Sequence, residues 1–255
     1  MKWYERLSQK LNYAFMPRTV RLTAALLSAW VVMVLVTTFY ENHLIARNFL
    51  LWNVFLAATP LFFALLLTRR AAKGRRGPLG VVWWGLWLVL YPNSPYMLTD
   101  FIHVKNYTYE PGFDLTPDVI SWFGLVHIIA AVALGCAFGY LSLYLLHNIV
   151  RGRLGQLVGW LFVGAASALS GLGIYIGRFM RFNTWDIASR PMALLGDVLD
   201  RLSRRTAWLC FLFAAMVLAG YLLFYFCFDS KENTTPPTPK AKTDMSPINS
   251  SATPN

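Results

Sequence analysis

The residues with the most chemistry in this sequence fall in two short runs. The first is Tyr91-Pro92-Asn93-Ser94-Pro95-Tyr96-Met97-Leu98-Thr99-Asp100-Phe101-Ile102-His103, where a carboxylate and an imidazole follow two prolines. The second is Gly177-Arg178-Phe179-Met180-Arg181-Phe182-Asn183-Thr184-Trp185-Asp186, with two guanidinium groups three residues apart. A carboxylate or imidazole held against a substrate can move a proton, so Asp100 and His103 are the candidate catalytic groups. Guanidinium groups hold phosphate through paired N–H donors. Arg178 and Arg181, with Asn53, Asn93, Tyr96, Thr99, Asn183, Trp185 and Asp186, are the candidate ligand-binding set. If helix resumes after the prolines, Tyr96, Thr99, Asp100 and His103 share one face. Asp100, His103, Asp118 and His127 could alternatively ligate a divalent metal, but their spacing matches no standard ligand motif. No metal is assigned, and no cofactor is identifiable.

The elements that must position these groups are membrane helices. The chain has 255 residues, 56% apolar and only 14% charged, about half the charge of a soluble domain. That excludes a disordered protein and a disulfide scaffold. Cys136, Cys210 and Cys227 all lie inside apolar runs, as small hydrophobes do. Six apolar stretches predict an all-α, six-span membrane domain over 22–228, with helices at 22–40, 48–68, 79–98, 119–147, 156–180 and 206–228. The first is too long for a signal-peptide core and lacks a cleavage site after it, so it reads as a retained span. A basic cytoplasmic segment, 1–21, precedes it. The Ser/Thr/Pro/Asn/Lys-rich tail, 229–255, has no apolar periodicity and is expected to be disordered.

The third stretch is the irregular one. Its strongly apolar part, 79–91, gives about 20 Å of helix before Pro92 and Pro95 interrupt it. Each proline lacks an N–H and disfavours helix at the residue before it, so the third helix is expected to break at membrane depth. Irregular backbone there survives only if protein covers it or it lines a wet cavity. A broken helix of this kind is a recurring way to build a ligand site, and a proline-capped helix end is the plainer alternative. Gly135/Gly139 and Gly173/Gly177 form GxxxG steps, which predict that the fourth and fifth helices pack on each other. Met192, Leu195, Leu199 and Leu202 recur at helical spacing among Arg and Asp. Residues 190–205 therefore read as an amphipathic helix on the membrane surface.

Charge sets the orientation. With both termini in the cytoplasm, the inner segments carry 15 basic and 4 acidic residues and the outer segments 8 of each. The whole net charge of +11 is then a matter of topology, and nucleic acid is not an expected partner. Residues 178–205 hold six arginines on the outer side, against that bias; either such cations have an anionic complement or the orientation is the reverse. Asn48, Trp52, Asn53, Asp100, His103, Asp118, His127, Arg178, Arg181 and Asp186 all gather toward the outer leaflet under this topology. The inner halves of the helices look poor in polar groups.

The runs Leu51-Trp52-Asn53-Val54-Phe55-Leu56-Ala57 with Pro60, Tyr91 to His103, and Ser170 to Asp186 together resemble a bacterial multi-pass membrane family, domain of unknown function 1361. The resemblance covers roughly 45–225, and Thr184 stands where the family pattern has Ser. It implies a bacterial inner membrane and supplies no activity.

The expected function is therefore argued from the residues. It is binding of an anionic lipid- or sugar-phosphate group at an outer-leaflet pocket, with catalysis open. The alternative is a transporter, or an accessory or scaffold subunit whose polar cluster is a structural ion-pair network. The absence of an internal inverted repeat speaks against transport. The lipid bilayer is the expected partner, with an anionic lipid or phosphorylated substrate as a second.

Overall fold

The computed structural model describes residues 16–41, 49–75, 77–106, 117–182, 186–201 and 203–233, and every regular element among them is helical. In chain order these are α1 (Met16–Glu41), α2 (Phe49–Ala72), α3 (Pro78–Leu90), α4 (Asn93–Tyr96) and a 3₁₀ helix (Met97–Asn106). Then follow α5 (Pro117–Leu154), α6 (Gln156–Arg178), α7 (Asp186–Ser189), α8 (Pro191–Asp200) and α9 (Arg204–Asn233). Among the described residues α1, α2, α5, α6 and α9 are long and apolar enough to cross a bilayer, so the chain is a multi-pass membrane protein. At 13 residues α3 spans only about 20 Å and does not qualify alone.

Burial ranks the helices. The apolar window of α5 is 72% buried, against 17% for α1 and for α9. So α5 is the central post, and α1 and α9 are flanks with lipid-facing apolar side chains. The main partner of α5 is α2, and that of α9 is α6. Thr37 Oγ1 on α1 lies 3.0 Å from His127 Nε2, which ties α1 to the central post.

Proline punctuates these helices where its missing N–H does least harm. Pro78 and Pro191 open α3 and α8, where the first N–H groups have no partner inside the helix. Pro60 lies inside α2 and cannot donate to the Leu56 carbonyl, but the Thr59 hydroxyl does so at 2.7 Å. Gly155, at φ 95°, makes the tight joint between α5 and α6 that a side chain would resist.

The prolines of the third stretch act more mildly than expected. Tyr91 (φ −55°, ψ −40°), Pro92 (−58°, −21°) and Met97 (−51°, −28°) all stay in the right-handed helical region. What changes is the hydrogen-bond period. The Tyr91 carbonyl, which Pro95 cannot serve, accepts from the Ser94 N–H at 3.1 Å. The chain thus passes from α3 through a turn and α4 into a 3₁₀ helix. The predicted α-helical face of Tyr96, Thr99, Asp100 and His103 is replaced by threefold winding, which stacks Met97, Asp100 and His103.

α5 and α6 do pack on each other as expected, but their glycine steps face a third segment. They clasp the 92–97 segment as a wedge between α5 and α6. A Cβ on Gly139 would lie 2.5 Å from Ser94, one on Gly173 2.6 Å from Pro92, and one on Gly177 3.0 Å from Tyr96; Gly135 faces Met97 just as closely. Ser94 itself is fully buried and donates to the Ala57 carbonyl at 2.7 Å, fastening the wedge to α2 as well. Small residues admit whichever backbone comes nearest, and here that is the proline segment.

Several boundaries move; α1 already begins at Met16, inside the expected 1–21 segment, and α2 runs on to Ala72. The surface helix α8 stops at Asp200, because Ser203 Oγ accepts from the Thr206 N–H at 3.2 Å and starts α9. α9 continues to Asn233, beyond the expected tail boundary, since no cap or proline ends it at Phe228. α5 reaches Leu154, past the expected end at 147.

Candidate functional site

Arg178, the last residue of α6, is the hub. Its Nη2 donates to Asp100 Oδ1 at 3.1 Å and to the Thr99 carbonyl. Its Nη1 lies 3.2 Å from His103 Nε2. Its guanidinium carbon stands 5.3 Å above the Tyr96 ring, in cation–π geometry. The other oxygen of Asp100 accepts from Asn53 Nδ2 on α2 at 2.9 Å. The 3₁₀ winding makes this possible, because the Asp100 carboxylate and the His103 ring stack on one side while the Thr99 side chain turns back to the Tyr96 carbonyl at 2.8 Å.

The electrostatics follow from burial. The Asp100 side chain is 1% exposed and that of Arg178 21%. Burial raises the Asp100 pKa; the Asn53 hydrogen bond and the Arg178 charge oppose that rise without cancelling it. Arginine keeps its protons, so His103 Nε2 must accept and the ring proton sits on Nδ1. Phe49 packs on that ring at 4.8 Å. The lone pairs of Asp100 and the Nε2 of His103 are thus engaged by Arg178 and Asn53.

Beside this hub lies a cavity of about 460 Å³, within the usual range for ligand pockets. One end is polar, with Asn53, Asn93, Tyr96 and Arg181; the rest is walled by Leu56, Leu88, Val89, Leu169, Leu172 and Ile176. Among the described residues lining it, Arg181 carries the charge. Arg181 is exposed, and its φ of 60° is a left-handed conformation that non-glycine residues adopt at a cost. The structure therefore gathers Asn53, Asn93, Tyr96, Thr99, Asp100, His103, Arg178 and Arg181 in one region, with the two arginines in different roles. Arg178 is consumed internally and Arg181 borders the open space.

The remaining candidates stand differently. Asp186 opens α7, is buried, and its Oδ1 accepts from Arg190 Nη2 at 3.1 Å; it does not line the cavity. Asn183, Trp185 and Asn48 lie outside the described residues. His127 bonds Thr37, and Asp118 lies in the first turn of α5.

The expectation of a polar-poor opposite end is corrected. There His147 Nδ1 meets the Tyr221 hydroxyl at 2.8 Å, and Arg151 donates to the Tyr225 hydroxyl at 2.8 Å and to Asn148 Oδ1 at 2.7 Å. Trp160 packs edge-on against His147 at 4.8 Å. The spacing of Tyr144, His147, Asn148 and Arg151 at i, i+3, i+4 and i+7 marks this face in the sequence. The apolar wall Leu169, Leu172 and Ile176 was equally marked by its spacing on α6.

The family model described as "Protein of unknown function (DUF1361)" matches residues 52–219, which includes the cavity and most of the hub. No curated protein and no solved structure matches the chain.

Proposed function

The chain belongs to this DUF1361 family of unknown function, and from that premise we propose that it binds an anionic, phosphate-type group in the cavity beside Arg181. Arg181 carries the reading. It is an exposed cation on the wall of a cavity, held in a costly backbone conformation, with amide and phenol donors from Asn53, Asn93 and Tyr96 on the same polar end. Strain of this kind persists where a side chain has a task. Arg178 is the positioning residue of the site, since its fork joins α6 to the 3₁₀ helix and to α2 through Asp100 and Asn53.

The membrane arrangement belongs to the same proposal. α2 and α5 both begin at the cavity end, so the chain between them must return across the membrane. The 78–98 stretch, broken at its prolines, is the sixth crossing. Both termini are cytoplasmic, in a bacterial inner membrane, and the cavity faces outward. In that frame the outward arginines at 178–205 meet the anionic complement that their position requires. α8, with Met192, Leu195 and Leu199 exposed, lies on the outer leaflet.

The alternative, a structural ion-pair network, draws on Arg178, whose donors are met by protein. Transport is disfavoured by the edge-on and tilted packing of Trp84 and Trp87 on α3 against Phe162 on α6, with Trp87 fully buried. Catalysis by Asp100 or His103 would require their release from Arg178. Phosphate co-purifying with the detergent-extracted protein tests the binding reading. Arg181→Gly should lose that phosphate, and equal content in both proteins would overturn it. His103→Gln with full complementation of a deletion phenotype would remove the catalytic reading.

A further inference from the structure

Resting on the anion-binding reading, we infer that the occupant is a membrane-resident amphiphile with an anionic head and an apolar chain, admitted sideways from the bilayer. The shape of the cavity supports this. Its polar end is at Arg181, and its wall runs down α6 to Leu169, nine residues before Arg178 and about 13 Å deeper. That wall belongs to the last turns of a membrane-spanning helix, opposite the first turns of α2.

The wedge closes one end of the side opening. Pro92 closes on Gly173 and Tyr96 on Gly177 at one end, Trp84 and Trp87 meet Phe162 lower down, and the cavity lies between Leu88 and Val89 of α3 and Leu172 and Ile176 of α6. Leu88 and Val89 both line the cavity and remain 43% and 40% exposed, so its apolar part faces the lipid. Trp52, 52% exposed on the same rim, suits the boundary between headgroups and chains. A water-soluble sugar phosphate would satisfy Arg181 and leave these apolar walls without a complement. An amphiphile matches both ends at once, and the volume holds a head and the start of a chain.

Thermal unfolding of the full-length protein in phosphatidylcholine nanodiscs tests this, with dodecyl phosphate, inorganic phosphate or dodecanol added. Dodecyl phosphate should stabilise the wild type, and Arg181→Gly should raise the concentration needed for the same stabilisation about tenfold or more, the loss of one charge-assisted hydrogen-bond set. Leu172→Phe, which fills the apolar wall, should weaken it while leaving the unliganded melting point near wild type. Inorganic phosphate as effective as dodecyl phosphate, and dependent on Arg181, would overturn the amphiphile and leave the anion site standing. Dodecanol as effective as dodecyl phosphate would overturn the anion site. No Arg181-dependent response to either phosphate would overturn both.

Discussion

Arg178 Nη2 lies 3.1 Å from Asp100 Oδ1, a contact that joins residues 78 positions apart across the boundary of α6 and the 3₁₀ helix. The carboxylate is buried and its second oxygen is held by Asn53. The pair therefore fastens three segments, and its loss should be felt by all of them.

Removing one partner strands the other in a poorly solvated place. Arg178→Ala and Asp100→Ala should each destabilise the protein by about 3–5 kcal/mol, and the double variant should recover part of the loss. Melting in detergent micelles measures this. Strictly additive shifts would mean that the two side chains act independently.

The acid response has a definite sign. The folded-state pKa of Asp100 is raised by burial, so the folded protein binds a proton more readily than the unfolded chain. That contribution is fully present below the ordinary carboxylate range and is lost as pH rises through the raised value. Relative to Asp100→Asn, wild-type stability should fall with rising pH across that window. A difference that grows with pH would contradict the burial account.

Close packing of the wedge can be probed one methyl at a time. Gly139→Ala and Gly173→Ala would press on Ser94 and Pro92 and should cost about 1–3 kcal/mol each. Gly164→Ala, on the same α6 helix with nothing near its added carbon, should be neutral or stabilising. Equal melting points for all three would mean that the wedge is loose.

Arg181 separates stability from function. Arg181→Gly relieves the left-handed backbone, so the unliganded protein should be unchanged or up to about 1 kcal/mol more stable. If the same variant loses phosphate, the strain serves binding. A clear drop in stability without ligand would instead make Arg181 a structural residue.

Topology is open to direct measurement. Reporter fusions at Gly74 and Gly112 should read cytoplasmic and external. The reverse pattern would put the cavity on the inner leaflet and remove the argument from outward arginines.

Membrane character was legible in the sequence by itself, because spanning depends on a contiguous apolar length and a backbone that satisfies itself. The five long helices follow from that rule. The residues around Pro92–His103 and Arg178–Arg181 were also legible as chemistry, from type and spacing. Their division of labour was not. Whether a guanidinium is consumed or free depends on what other segments bring within about 3 Å, and only the fold sets that distance. Asn53 and Asp100, 47 positions apart, reveal nothing of each other locally. The glycine steps show the same limit, since a missing Cβ announces a close approach without naming the partner. The tertiary structure supplied the proline wedge as that partner, and with it the gap between α3 and α6 that becomes the cavity.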